Sequence, residues 1–476
     1  MKWIAAVLLT LVGAVTPAIA QSAERPGSLS LAVPEASELA QQRTLNSLRL
    51  AAKLLCSGVF LSDRKAERVI DEDLHWAEYN FFDWQSVDWL VDQETGVVTL
   101  SMPAPNNADH VWAAEALFEP GYGCTLLPDQ ATRLPVERSA RTISGTNDIL
   151  STDTSDANER LEQAVSEAFE ETPELALQRT RAIVVVKDGQ IIAERYADGF
   201  DENTSFLGWS MGKSLAALLF GAYVHQFGTD IDAPVELSEW GGHGDPRREI
   251  TPRHLLNMAG GLKFHNPGSG DSLYYSDLHD HESVYFRSQN IEQLVVNQPL
   301  ASVPGTHFAY RNTNTLSLMV IMRRGLGEDC YLTFSDDAVF SKIGADSMVL
   351  ETDPFGNPII TGFVYGTARD WARLGQLALN DGVVAGERIL PQGWRDEVLL
   401  NPSATNASYG GQVWLNTGGR FQHAPKDAGY FLGWGDQVVM ILPTQNMVIV
   451  RLGLSDGDFT EYFDGVLEKI LAAIEQ

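Results

Sequence analysis

The chain has 476 residues, 44% of them hydrophobic and 20% charged. That is a globular composition, and the length exceeds what one hydrophobic core usually holds, so two or three units are expected. A formal net charge of −29 weighs against nucleic acid and anionic membranes as partners, and three cysteines without a Cys-x-x-Cys spacing weigh against a cysteine-based metal site.

Residues 1–20 read as a secretory signal. Lys2 opens the segment, an apolar run follows over 4–15, and Ala18-Ile19-Ala20 supplies a small-residue cleavage site. The run is about a dozen residues long, whereas a bilayer span needs roughly twenty. No cysteine follows the cleavage site to carry a lipid. The expectation is a periplasmic or secreted protein with no stable membrane insertion once the signal is removed. Export permits disulfides, and Cys56 and Cys124 both lie in the first third of the chain. Paired, they would close a long loop, a stabilisation of about 4 kcal/mol in the chain-entropy view. Cys330 is then left over and is expected to be buried.

Residues 21–35 are rich in Ser, Pro and Ala and are expected to be loose. Leu39, Leu45, Leu48, Ala52 and Leu55 recur at helical spacing over 38–56. A Thr95-Gly96 turn precedes a strand at 97–100, with 111–118 and 124–127 as its partners. Together these make a small N-terminal α/β domain over 21–128 that carries no catalytic constellation. Its aromatics, Trp76, Tyr79, Phe81, Phe82, Trp84 and Trp89, read as core. Residues 129–156, polar and without period, read as a linker, and 157–476 as the larger domain. There, a helix at 158–169 is followed by two β-branched runs, 181–186 and 191–196, around Asp188-Gly189, a strong hairpin signal. Segments 215–227, 252–259, 312–325 and 367–381 read helical. Strands return at 412–415, 437–442 and 447–454, and an amphipathic helix over 460–474 closes the chain. Strands at both ends and helices between describe one mixed sheet with a helical insertion and a cleft where the two meet.

Between the hairpin and the first of those helices runs Gly208-Trp209-Ser210-Met211-Gly212-Lys213. It reads as Ser-x-x-Lys at a helix start, or as Gly-x-Ser-x-Gly, a nucleophile elbow. Both make Ser210 a nucleophile, and a serine hydroxyl needs a base within reach. Residues three apart on a helix share a face, and a desolvated lysine can give up its proton, so Lys213 can be that base. The elbow needs a buried strand before the serine and a distant histidine, for which His423 is the candidate. Because 201–205 is polar and turn-like, Ser-x-x-Lys is preferred. His279-Asp280-His281-Glu282, with His265 upstream, could be mistaken for a metal cluster, but adjacent residues rarely point at one ion. That loop, with Tyr274, Tyr275 and Tyr285, is expected to border the cleft. Asp370 and Arg373 are expected to form structural ion pairs.

The order of landmarks over about 160–476 resembles the serine β-lactamase and penicillin-binding-protein superfamily, in its class C-like branch with the 6-aminohexanoate-dimer hydrolases and related esterases. Trp209-Ser210-Met211-Gly212-Lys213-Ser214 looks like the first motif. The segment from Ile250 to Leu262 (ITPRHLLNMAGGL) resembles the family's LLxMxSGL loop, Tyr310-Arg311-Asn312 its Tyr-x-Asn motif, and the run from Gly366 to Gly375 a landmark helix. The resemblance implies an α/β (α+β) fold of the β-lactamase/transpeptidase kind: an antiparallel sheet flanked by helices, with a helical subdomain, beside the added N-terminal domain. It further implies an acyl-enzyme mechanism on a small-molecule ester or amide, with no cofactor and no metal. Ser210 would attack, and Lys213 and Tyr310 would share the general-base work, Lys213 stabilising the phenolate and Tyr310 returning the proton to the leaving group. Asn312 would orient Lys213 or a substrate carbonyl. The third motif departs from the family: Phe431-Leu432-Gly433 stands where Lys/His-Thr/Ser-Gly is usual. Its backbone role survives, with the N–H of Trp434 pairing with that of Ser210 as an oxyanion hole, a feature that typically contributes a few kcal/mol in the transition state. The cation and hydroxyl that hold a substrate carboxylate do not survive, which favours a neutral ester or amide. A β-lactamase or a D-aminopeptidase/carboxypeptidase-like peptidase stays open, as does a pseudoenzyme that binds a ligand in the cleft.

Overall fold

The computed structural model describes residues 36–75, 83–105, 107–127, 148–152, 159–170, 178–264, 280–287, 290–455 and 459–474. The expected signal at 1–20, most of the expected linker, four of the N-terminal aromatics and the loop residues His265, Tyr274, Tyr275 and His279 lie outside them.

The N-terminal unit is one long helix on a small meander. Helix α1 (Ala36–Phe60) leads into the short α2 (Ala66–Val69), and strands β1 (Asp88–Asp92), β2 (Val97–Ala104), β3 (Asn107–Glu119) and β4 (Gly123–Leu126) form an antiparallel sheet in that order. Strand β2 shows why the sheet is one-sided: its burial alternates, with Val98, Leu100 and Met102 turned inward, as a half-covered strand must. They meet Leu48, Ala52 and Leu55 of α1 and Val69 of α2 in a core of their own. The disulfide Cys56–Cys124 ties α1 to β4 across that core. One aromatic departs from expectation: Trp84 is half-buried and packs against this core, but Trp89 is 38% exposed, because β1 is an edge strand whose residues are all exposed or half-exposed.

The larger part is built on a seven-stranded sheet. After β5 (Ser151–Thr152) and α3 (Glu159–Glu167), the hairpin β6 (Thr180–Lys187) and β7 (Gln190–Tyr196) turns at Asp188 and Gly189, both at positive φ. A short strand, β8 (Ser205–Leu207), precedes α4 (Met211–Phe227). The helical stretch continues through α5 (Pro252–Leu256), α6 (Asp280–Tyr285), α7 (Ile291–Val296), α8 (Asn312–Leu326), α9 (Glu328–Tyr331) and α10 (Ser341–Ile343). Strands β9 (Val349–Leu350) and β10 (Val364–Thr367), helix α11 (Ala368–Leu379) and the hairpin β11 (Val383–Val384) and β12 (Glu387–Arg388) follow. Then come β13 (Trp414–Leu415), β14 (Gly429–Gly433), β15 (Gln437–Leu442), β16 (Met447–Gly453) and α12 (Phe459–Ile474).

The main sheet has the order β13-β14-β15-β16-β6-β7-β5, antiparallel throughout except for β5, which runs parallel to β7. That two-residue strand lies inside the stretch expected as linker. One face carries Val184, Val186, Val439, Ile441, Val448 and Val450 against α4 and α11; the other carries Ile183, Val185, Val438, Met440 and Ile449 against α3 and α12. Gly375 lets α11 sit close, since a Cβ there would lie 2.6 Å from Val448 and 2.7 Å from Val439. A separate sheet, β8-β10-β9, lies at the junction with the helical stretch and leads directly into the segment that carries Ser210. Cys330, expected inside, is exposed, because α9 is a four-residue surface turn. Among the described residues no helix is long and apolar enough to cross a membrane.

Candidate active site

The chain enters the site on β8, held by β10 in the register Tyr365↔Leu207, Gly366↔Phe206 and Thr367↔Ser205. The sequence reading denied any strand before the serine, so β8 corrects it. The glycines flanking Ser210 also have reasons unconnected with an elbow. A Cβ on Gly208 would stand 2.2 Å from the Trp371 ring, and one on Gly212 1.9 Å from the Ile360 carbonyl oxygen. Trp209 sits at φ 48, an uncommon left-handed conformation for a bulky residue. It throws the chain from strand into helix, so that Ser210 caps α4. Buried on all sides from Met211 to Tyr223, α4 is apolar all round because it is a core helix.

Helical spacing brings Lys213 onto the face of Ser210. Its Nζ lies 2.9 Å from Ser210 Oγ and donates to the Thr361 carbonyl at 3.2 Å. The side chain is 2% exposed, and burial alone lowers its pKa from the usual 10.5 to about 7. Burial therefore favours the free amine beside the hydroxyl near neutral pH.

Tyr310 arrives on the turn before α8, its ring centroid 4.9 Å from Lys213 Nζ. Burial pushes its phenol up to about 12, against hydrogen bonds with Ser210 and Trp414 that favour the phenolate. The sequence reading had Lys213 holding this phenolate; in the structure both groups are pushed toward their neutral forms, because burial penalises each charge. Around them stands an aromatic wall: Tyr310 packs at 5.4 Å on Trp414 and 6.0 Å on Tyr409, with Phe308 5.3 Å from Tyr409. Trp209 meets Phe363 at 5.6 Å and Trp434 at 5.0 Å.

Asn312 is the first residue of α8. Its amide donates to the Tyr285 hydroxyl at 2.8 Å, and among the described residues its buried Oδ1 accepts no hydrogen bond, so of the two expected partners, Lys213 and a substrate carbonyl, the first is not met. The contact to Lys213 comes from the Thr361 carbonyl, which also accepts from Tyr285 at 3.2 Å.

Gly433 ends β14 directly against the turn before Ser210: a Cβ there would lie 2.1 Å from the Gly208 carbonyl oxygen. Trp434 follows, and the turn after it is pinned from below. Gln437 donates to the carbonyls of Trp434 and Gly435 at 3.1 Å each. The fully buried Arg451 donates to those of Gly435 at 3.2 Å and Asp436 at 2.9 Å. Sequence reasoning missed both residues, although a Gln and an Arg inside the apolar runs of β15 and β16 were the available signal.

His423 lies elsewhere. Its Nδ1 is 2.9 Å from Asp464 of α12, and its neighbours Phe421 and Ala424 belong to the core on the other sheet face, so it does not share the site with Ser210. Asp370 and Arg373 pair at 2.6 Å, and Arg373 reaches Asp148 at 2.6 Å, as the structural reading expected. Of the acidic-histidine cluster only the backbone of 280–282 is described. Among the described residues no group of three or more His, Cys, Asp and Glu is placed to hold a metal ion.

Comparison with known proteins fits this geometry. A 6-aminohexanoate-dimer hydrolase of Paenarthrobacter ureafaciens is 26% identical over 350 residues, 69% of this chain and 83% of that protein. A solved Bacillus anthracis structure assigned to the 6-aminohexanoate-dimer hydrolases superposes with a TM-score of 0.53 at 23% identity, over 71% of this chain and 88% of that one. A penicillin-binding-protein homologue of Caulobacter crescentus gives 0.51 at 15% identity, over 66% and 98%. The sequence profile of the β-lactamase family matches residues 169–464, more than half of the chain. This chain belongs to the β-lactamase family and is one of its serine hydrolases.

Proposed function

We propose that the protein is an exported hydrolase that opens a neutral ester or amide through an acyl-enzyme on Ser210. The observation that carries this reading is the 2.9 Å contact between Ser210 Oγ and a buried Lys213 whose amine titrates at about 7. The neutral amine takes the hydroxyl proton as Oγ attacks the carbonyl. Tyr310, protonated across the physiological range, hands a proton to the departing alcohol or amine and is restored from Lys213. The main-chain N–H groups of Ser210, at the start of α4 where the helix dipole adds to it, and of Trp434 receive the oxyanion. Water then repeats the sequence to release the acid.

Two features favour an uncharged substrate. The strand position that carries a cation in β-lactamases is Phe431, fully buried in the core, and the surroundings of Ser210 are aromatic. The hydrolase that is 26% identical cleaves, by its name, a dimer of 6-aminohexanoate; the linear dimer is a zwitterion at neutral pH, so its end-capped, uncharged derivative is the first amide to try. Export is supported by the signal-like residues 1–20 and by the disulfide.

The test is intact-mass spectrometry after a fluorophosphonate, with turnover of p-nitrophenyl butyrate, an end-capped 6-aminohexanoate dimer and a chromogenic cephalosporin, for wild type, Ser210→Ala and Lys213→Ala. A single adduct on Ser210, and ester or oligoamide turnover lost in both variants, is the expected result. Faster cephalosporin than ester turnover would make it a β-lactamase. No adduct in a folded protein would leave a ligand-binding cleft.

A further inference from the structure

The family profile begins at residue 169, which leaves α1 and the β1–β4 meander without a part in the reaction. While Ser62 and Asp73 reach Ser205 and Arg181, three of the unit's buried polar contacts converge on one residue of the hydrolase, Glu351, just after β9. Its Oε1 accepts from the Ser57 hydroxyl at 2.7 Å and from the Cys124 N–H at 2.7 Å. Its Oε2 faces Lys53 Nζ at 2.8 Å, and neither charged side chain has any solvent exposure. Lys53 also donates to the Cys124 carbonyl, beside the disulfide. Burying two charges costs several kcal/mol per ion, and an apolar pair of similar volume is often as stable. Stability alone is therefore a weak account of this pair.

What the pair holds is the cradle of the nucleophile. The Glu351 N–H donates to the Phe363 carbonyl at 3.1 Å, and its carbonyl accepts from the Ile359 N–H at 2.8 Å. Segment 359–364 then touches the turn around Ser210 at four residues, Gly208, Trp209, Gly212 and Lys213. The Ile360 carbonyl abuts Gly212, the Thr361 carbonyl accepts from Lys213 at 3.2 Å, the Phe363 ring backs Trp209 at 5.6 Å, and the Val364 carbonyl accepts from the Gly208 N–H at 2.8 Å. Lys53 Nζ lies 4.5 Å from the centroid of that same Phe363 ring, within cation–π range. Leu50 of α1 is part of the main core, so the helix that carries Lys53 is seated in the hydrolase.

We propose that Lys53 and Glu351 are positioning residues through which the N-terminal unit sets segment 359–364, and with it the placement of Lys213 against Ser210; the docked unit is a working part of the active site and not an appended module. This rests on the Ser210–Lys213 reading above. A misplacement of about 1 Å far from the chemistry can cost on the order of 10²-fold in rate, and the contacts here are direct.

The test uses the full mature chain with Lys53→Met, Glu351→Gln and the milder Ser57→Ala, which keeps both charges. Two quantities are read: kcat and KM for p-nitrophenyl butyrate against pH, and hydrogen exchange of peptides covering 205–214 and 357–366. The proposal expects kcat to fall about tenfold or more in the charge variants and about two- to fivefold in Ser57→Ala, with KM within about twofold. The pH limb of kcat near 7 moves, and both peptides lose protection while those of α8 and α12 keep theirs. Folded variants with wild-type kcat, pH limb and protection overturn it. Should the charge variants not fold, Ser57→Ala decides by the same readouts. A wild type that never acylates Ser210 would sink the hydrolase reading instead; the exchange data then stand alone, and unchanged protection overturns the positioning role.

Discussion

Replacing Lys213 with methionine should stop the enzyme and strengthen the protein. The amine is moved from its ordinary 10.5 to about 7 by burial, so between those two pH values the unfolded chain holds a proton that the folded chain has released. Stability from this group therefore rises with pH across that window, and below pH 7 the whole penalty is present, about 5 kcal/mol. Methionine removes the penalty but loses the contacts to Ser210 Oγ and the Thr361 carbonyl, about 1 kcal/mol each. In a Ser210→Ala background only the Thr361 contact remains to be lost, so the net expectation there is a gain of about 3–4 kcal/mol at pH 6.5, shrinking to near zero at about pH 9.5. Urea unfolding of Ser210→Ala and of Ser210→Ala/Lys213→Met at the two pH values measures it without interference from catalysis. In the Ser210 background, activity of Lys213→Met should fall by about 10²–10⁴-fold, the usual worth of a general base. A methionine variant that is less stable at pH 6.5, or whose advantage does not change with pH, would show that the amine is charged and well paired in the folded protein, and the base assignment would go with it.

Turnover of an uncharged ester should rise through pH 7 as Lys213 loses its proton, about tenfold between pH 6 and pH 8. The Tyr310 phenol, held at about 12, should introduce no falling limb below pH 10, and Tyr310→Phe should cost about 10²-fold or more in kcat, read by steady-state kinetics. Gly433→Ala puts a methyl 2.1 Å from the Gly208 carbonyl oxygen; it must push β14 off the nucleophile turn and slow fluorophosphonate labelling by about 10²-fold. Replacing both Cys56 and Cys124 with serine opens a loop of 68 residues and should cost about 4 kcal/mol in urea unfolding.

What could be read from the sequence was what is local. Ser210 and Lys213 are one turn apart on a helix, so their contact follows from spacing, and the Asp188-Gly189 hairpin follows from turn chemistry. Contacts between distant segments were hidden. Strand β8 is three residues long and opens on a serine, and only its pairing with residues 365–367 makes it a strand. The Tyr-x-Asn spacing located Asn312, but its partner Tyr285 is 27 residues upstream, and nothing in the periodicity of either segment joins them. Thr361 is invisible for another reason: it acts through its carbonyl oxygen, which every residue possesses. Lys53 and Glu351 lie 298 positions apart, so nothing local joins them, and Lys and Glu are rarely buried unless paired.

The altered third motif yields a prediction about substrates. A carboxylate entering this site is not met by the tripeptide that would hold it in a β-lactamase: Phe431 is turned into the core, Leu432 is half-buried beside the other core, and Gly433 has no side chain. Burial pushes Lys213 toward its neutral form, and it is already committed to Ser210. The entering charge loses water without gaining a partner, a cost of about 1–3 kcal/mol, and the −29 net charge of the chain adds long-range repulsion that salt screens. Between p-nitrophenyl butyrate and the mono-p-nitrophenyl ester of succinate, kcat/KM should favour butyrate by about 10- to 100-fold at pH 8. The preference should shrink, without vanishing, as ionic strength is raised. Equal kcat/KM for the two esters would mean that a cation does reach the acyl group, and the neutral-substrate reading would have to be abandoned.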